Sequence, residues 1–254
     1  MMNKISIVMP AYNAEKYIEE SIISVMSQTY ETWELLVIDD CSSDDTLKIV
    51  DRLQKIDKRI KVYKNEVNTG VSQTRNYGIK MSDGEWVAFL DSDDMWDEKK
   101  LEKQIKFSEE VGSDFIFSGA KYINREGREF PGVFEVPKYV DYKNLLKQNV
   151  ISCSSVLIRR YLISDLEMKN DQTHEDFGFW IQVLKKYNYA HGLNEPLLTY
   201  RILNDSKSGN KLKSIVMTFK TYRFANLNFF QSIYYLIWYV IKSYKKYYTI
   251  IKEK

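Results

Sequence analysis

Four short segments carry residues that could do chemistry. In Phe89-Leu90-Asp91-Ser92-Asp93-Asp94 an apolar run ends in carboxylates. An extended chain would carry Asp91 and Asp93 to one face and turn Ser92 away. Like carboxylates held close repel each other unless a cation or a donor compensates. A divalent ion shared with a phosphate would compensate, since Mg²⁺ and Mn²⁺ take carboxylate and phosphate oxygens. The alternative is an acidic turn in which Asp94 or Asp97 caps the next helix. Val37-Ile38-Asp39-Asp40 is a second apolar run ending in paired carboxylates, suited to accept a hydrogen bond from a base or ribose. Just beyond it, Ser42 and Asp45 have capping-box spacing. In Met9-Pro10-Ala11-Tyr12-Asn13, Pro10 is expected to stop a strand, and Tyr12 offers a ring on which a base can stack. The fourth segment, Thr173-His174-Glu175-Asp176, opens a helix. Thr173 and Asp176 fit a helix cap. One acidic residue there could instead take the proton of a hydroxyl nucleophile, a contribution of ~10²–10⁴-fold. Local spacing favours the cap.

The elements that must position these residues alternate. Apolar, β-branched runs predict strands over 5–9, 33–38, 60–63 and 85–90, and helical stripes predict helices over 17–26, 46–53 and 71–81. Such alternation implies parallel βαβ units covered on both faces. Three of the four segments then sit at the carboxyl ends of strands, where open α/β sheets bind ligands. Neither Gly-x-Gly-x-x-Gly nor a P-loop is present. Beyond residue 112 the pattern is irregular. Strands are expected at 115–117 and 156–158, a turn at 124–127, and a helix over 175–186 with Phe177, Trp180, Ile181 and Leu184 on one face.

The chain has 254 residues, 44% hydrophobic and 28% charged, which suits a globular protein with a full core. A mean hydropathy of -0.42 excludes a polytopic membrane protein. Two cysteines supply no disulfide framework and point to a reducing compartment. With only two histidines besides, a zinc site is disfavoured, and any metal should be a hard cation held by oxygen. The net charge of +2 is split between an acidic body, −7 over residues 1–200, and a basic end, +9 over residues 201–254. Residues 218–254 hold twelve aromatic residues among Lys and Arg. The run 229–241 is too short and polar to span a bilayer, which takes ~20 apolar residues. An amphipathic helix at a membrane interface fits this tail. The alternative is a helix packed on the domain or on a second copy, as in a homodimer. The first residues lack the pattern of a secretory signal, so a cytoplasmic protein at the inner face of the plasma membrane is expected.

Taken in order, Pro-Ala-Tyr-Asn, Val-Ile-Asp-Asp-x-Ser-x-Asp-x-Thr, Gly70-Val-Ser-x-x-Arg75-Asn76-x-Gly78, Phe-Leu-Asp-Ser-Asp-Asp, Glu175-Asp176 and Tyr200-Arg201 resemble the family 2 glycosyltransferases over residues 3–205. The resemblance implies an α/β GT-A fold, with a nucleotide-binding half over about 1–111, an acceptor half over about 112–217, and the tail 218–254 appended. It implies a nucleotide-sugar site, for UDP by preference, lined by Pro10, Tyr12, Asp39, Asp40, Arg75, Asp91, Ser92, Asp94 and Arg201. Within it Pro10, Tyr12 and Asp40 would hold the base and Asp91 the ribose side. Asp93 would meet Mn²⁺ or Mg²⁺, Arg201 the diphosphate, and Asp176 would be the catalytic base. The activity implied is inverting transfer of one sugar to a glycan or lipid-linked acceptor in cell-surface polysaccharide synthesis, with no role for nucleic acid. Processive members carry Gln-x-x-Arg-Trp and several membrane spans, absent here. The competing reading is a non-catalytic nucleotide- or glycan-binding module on the same fold.

Overall fold

A computed structural model describes residues 3–169, 172–203 and 211–252, without the side chains of 211–212 and 245–252. The far end of the predicted tail, 253–254, lies outside the described residues, as do 204–210 of the acceptor half. The first half alternates as its apolar pattern requires: β1 (Ile5–Ala11), α1 (Ile18–Met26), β2 (Trp33–Asp39), α2 (Thr46–Ile56), β3 (Ile60–Lys64), α3 (Val71–Met81) and β4 (Trp86–Phe89). There follow β5 (Met95–Trp96), α4 (Lys100–Val111), β6 (Phe115–Ile123), β7 (Glu129–Phe134), β8 (Tyr139–Val140) and α5 (Tyr142–Lys147). The chain continues through β9 (Leu157–Arg159), α6 (Glu175–Lys186), β10 (Ala190–Arg201), α7 (Lys211–Phe224) and α8 (Phe229–Lys252).

One mixed sheet runs in the order β3-β2-β1-β4-β9-β6-β10-β5, with β7 beside β6 and β8 beside β10. β3, β2, β1 and β4 are parallel, whereas β9 is antiparallel to both β4 and β6. One core cluster holds Ile5, Ile7 and Met9 and the other holds Val8. Alternate side chains of β1 therefore feed the two faces, as a buried central strand demands.

Two expectations are corrected here. Pro10 does not end β1, which runs to Ala11 with Pro10 paired to Ile38. The last β1–β4 pair is Val8 with Phe89, and after Leu90 N donates to Val8 O at 3.0 Å, Pro10 has no N–H to continue the ladder on that side. Residues 91–94 are not extended: Asp94 N–H donates to Asp91 O at 3.1 Å, closing a turn directly after β4. The carboxylates are brought together by that turn and not by strand alternation.

Candidate active site

The parallel register sets the carboxyl ends of β1 and β2 level, with Ala11 opposite Asp39. Each strand leaves the sheet through a residue in the left-handed region, Asn13 at φ 48° and Cys41 at φ 66°, an uncommon conformation that recurs at functional rims. Tyr12 stands here 54% exposed. Pro10, Asp39 and Asp40 are buried. The two aspartates divide their work. Asp40 accepts from Asn65 Nδ2 and Thr69 N at 2.8 Å, from Thr69 Oγ1 at 3.0 Å and from Gly70 N at 2.8 Å. Against the upward push of burial, these bonds hold its pKa below the ordinary value. Its carboxylate is thus engaged in fixing the start of α3. Among the described residues Asp39 accepts from Ser42 N alone, at 3.1 Å through Oδ2, and its buried Oδ1 has no partner. A buried carboxylate oxygen left open calls for a donor from a ligand.

The expected capping box at Ser42 and Asp45 does not form. Ser42 Oγ accepts from Asn13 N at 3.0 Å, the N-cap Asp45 makes no side-chain capping bond, and Asp44 just before it accepts from Thr46 N at 3.0 Å and Glu15 N at 3.1 Å. The loops after β1 and β2 are laced together, and that competing contact outweighs the local motif.

At the end of β4, Asp91 N donates to Ser154 Oγ at 3.1 Å. Ser154 belongs to the turn before β9, and an antiparallel neighbour necessarily begins where β4 ends. Ser92 is half-buried, and its carbonyl accepts from Ser21 Oγ at 3.0 Å. Asp94 is fully buried; Oδ1 accepts from Arg201 N at 3.0 Å and Oδ2 is open. Burial, then the charge of Asp91, pushes Asp93 up to about 6. Burial, then Asp93 and Asp91, drive Asp94 well above the carboxylate range. The guanidinium of buried Arg201 clamps this turn. It donates to Asp93 O at 3.1 Å and to Glu20 Oε2 at 2.6 Å, and lies 4.5 Å over the Tyr17 ring.

Arg75 joins the two halves of the site. Its side chain comes from the buried face of α3 and contacts Asp91 Oδ1 at 2.5 Å and Glu175 Oε1 at 2.9 Å. The predicted cap at Thr173 is absent: His174 is the N-cap and makes no side-chain capping bond. Glu175 is drawn to Arg75, which leaves Asp176 half-buried with Oδ1 accepting from Phe177 N at 2.7 Å. Burial, then the neighbouring charge of Glu175, raises the pKa of Asp176. Buried Cys153 senses Arg75, Asp91, Asp176 and Glu175, which places all four around one thiol. Glu175 was singled out in sequence only as part of the acidic pair, without its tie to Arg75, and Cys153 and Ser154 stood outside the sequence-predicted set. For the last two no local pattern was available, because only strand order puts residues 153–154 beside residue 91.

The donor set is all oxygen, and the raised proton affinity of Asp93 marks a carboxylate short of positive charge, so a hard divalent cation fits there. Among the described residues no group of three or more His, Cys, Asp or Glu could hold a metal ion alone. A ligand phosphate would have to complete the coordination.

Comparison with known proteins bears on this rim. The glycosyl transferase family 2 profile matches residues 6–166, which include every strand that ends at it except β10. The chain belongs to glycosyltransferase family 2. It is 37% identical over 243 residues, 95% of its length and 96% of the other's, to TuaG of Bacillus subtilis (strain 168), named as a teichuronic acid biosynthesis glycosyltransferase. It is 37% identical over 244 residues, 95% and 94% of the two chains, to WfgD of Escherichia coli, a UDP-Glc:alpha-D-GlcNAc-diphosphoundecaprenol beta-1,3-glucosyltransferase. The structure of S. aureus TarS 1–349 in complex with UDP superimposes with a TM-score of 0.70 at 25% identity, covering 97% of this chain and 73% of that one. The expected GT-A arrangement is borne out.

Proposed function

We propose that this family 2 enzyme transfers one hexose from a UDP-sugar, with inversion, to a hydroxyl of a glycan or lipid-linked acceptor in cell-surface polysaccharide synthesis. The named activities of TuaG and WfgD support the acceptor class, and the TarS complex supports the nucleotide. The observation that carries the chemistry is the pairing at the start of α6. Arg75 engages Glu175, so of the two acidic residues that open α6 it is Asp176 that stays off the ion pair, with raised proton affinity.

Tyr12 stacks on the base and the open Oδ1 of Asp39 accepts the base's imide N–H. Asp40 keeps α3 in place, so that Arg75 reaches Asp91 at the ribose side. Asp93 would hold Mn²⁺ or Mg²⁺, which when bound would supply charge compensation for the leaving diphosphate. Arg201 holds the Asp93–Asp94 turn from behind, a positioning role in place of a diphosphate contact. Asp176 takes the acceptor's proton as its oxygen attacks the anomeric carbon opposite the leaving group. A double displacement would need a second free carboxylate as nucleophile, and Glu175 is tied to Arg75. The tail belongs to the same reading, as peripheral contact with the inner face of the plasma membrane.

Asp176→Asn should lower turnover of a UDP-sugar in Mn²⁺ by about 10²–10⁴-fold while thermal stabilisation by UDP with Mn²⁺ persists. The acid limb of the wild-type rate profile should vanish in the variant, because a base with raised pKa is lost as pH falls. Full activity in Asp176→Asn would remove the base. UDP binding without turnover by the wild type on any donor would instead favour the non-catalytic binding module.

A further inference from the structure

We propose that the outer face of α8 lies in the headgroup region of an anionic lipid bilayer, which deepens the acceptor reading above and rests on it for the acceptor's identity. α8 is apolar on two opposite faces, and the domain covers one of them. On the inner face Ser232 is buried, and Tyr235, Leu236 and Tyr239 pack against the core cluster that contains Phe177 and Tyr222. On the outer face Phe230, Tyr234, Ile237, Ile241 and Tyr244 recur at spacings of four, three, four and three, all exposed, with Trp238 beside them. Exposure reaches 82% at Phe230 and 70% at Tyr244. One continuous apolar stripe along a helix about 36 Å long is larger than scattered surface hydrophobics and calls for a cover.

Three candidates can cover it, and charge chooses among them. A bilayer crossing is excluded for α8, since among the described residues no helix is long and apolar enough. A second copy meeting α8 face to face would set like against like, because residues 206–252 contain no Asp or Glu and carry Lys220, Arg223, Lys242, Lys245 and Lys246. An anionic lipid surface satisfies both features at once, with aromatic rings at headgroup depth and lysines toward lipid phosphates. The inner face ties this surface to the chemistry. The Tyr239 ring lies 5.8 Å from that of Phe177, the residue after Asp176, and Tyr222 of α7 touches the same ring at 5.8 Å. Docked α8 thus anchors the helix that carries the base, and holds the acceptor half at the plane from which a lipid-borne hydroxyl is presented.

The test uses the full chain and vesicles of phosphatidylcholine with or without about 30% phosphatidylglycerol. The wild type should co-sediment with the anionic vesicles, and less so as salt rises. Combined Ile237→Ser and Trp238→Ser should weaken that partition by about tenfold or more, with the thermal midpoint and turnover on a water-soluble acceptor unchanged. Phe230→Ser, at the most exposed position, should show the same direction if the double variant proves poorly folded. Failure of the wild type to bind anionic vesicles, or equal binding by all variants, overturns the proposal. A wild-type dimer in sedimentation equilibrium without lipid, lost in the variants, overturns it in favour of a second copy. Vesicle binding with no turnover on any nucleotide sugar would sink the transfer reading and leave the docking surface standing.

Discussion

Asp39 and Asp40 are adjacent in sequence yet differ in what they can do, because only Asp39 keeps an oxygen free. Replacing each by Asn separates the roles. Asp39→Asn should raise the KM for the donor by about tenfold or more, the cost of one charge-assisted hydrogen bond, and leave the thermal midpoint nearly unchanged. Asp40→Asn should lower stability by about 1–3 kcal/mol, since four donors at the start of α3 converge on that carboxylate. Urea unfolding and donor kinetics on both variants check the pair. Equal stability losses would mean that the free oxygen of Asp39 is structural too. A sequence reader sees two carboxylates at a strand end. Which of them is available depends on residues 65–70 folding back over Asp40.

At the scale of elements, the site depends on how closely α3 lies against β1. A Cβ added at Gly78 would come within 2.3 Å of Val8 Cγ1 and 3.2 Å of Ile38 Cδ1. Helix and sheet must separate to admit a methyl group, carrying Arg75 away from Asp91. Gly78→Ala should therefore cost about 1–3 kcal/mol of stability and reduce kcat with it. Adding Val8→Ala should return part of both, a coupling that a double-mutant cycle measures. Simple additivity of the two changes would mean that α3 does not lean on β1 at this point. Helix and strand positions in the first half were legible because apolar periodicity there is strong. The two capping predictions failed for different reasons: Ser42 found a partner distant in sequence, Asn13, whereas α6 starts one residue late, with the Thr173 hydroxyl donating to Lys169 O and Asp176 accepting from Phe177 N.

Over the whole molecule, two carboxylates at opposite ends of the sheet, Asp93 and Glu34, are shifted in opposite directions. At the ligand rim Asp93, buried beside Asp91, is raised to about 6. At the other end, against the push of burial, hydrogen bonds involving Asp83, Lys61, Ser6 and Lys4 hold Glu34 down to about 2. The signs follow by linkage. Stability from Glu34 is present above the unfolded value of 4.5 and is lost as pH falls through about 2. The cost at Asp93 is absent below 3.8 and is complete once pH has risen past about 6. Metal-free Asp93→Asn should therefore melt about 2–4 °C above wild type at pH ~8 and match it at pH ~4. Glu34→Gln should melt below wild type at neutral pH and approach it under acid. Scanning calorimetry in chelator across that range checks both. An Asp93→Asn difference that does not change with pH would remove the strained-carboxylate account of the rim.

The sequence by itself determined the alternating first half, the acidic strand ends and the family. Those features are written in short-range periodicity and in side-chain type, which survive without knowledge of the fold. Only the tertiary structure decided which carboxylates are free, that Arg75 links residues 91 and 175, and that α8 is covered on one face alone. Each of these follows from strand order and packing, which bring together groups separated by as many as 181 positions, as Glu20 and Arg201 are. Partners at that distance compete with every local hydrogen bond, and the packed core settles the competition.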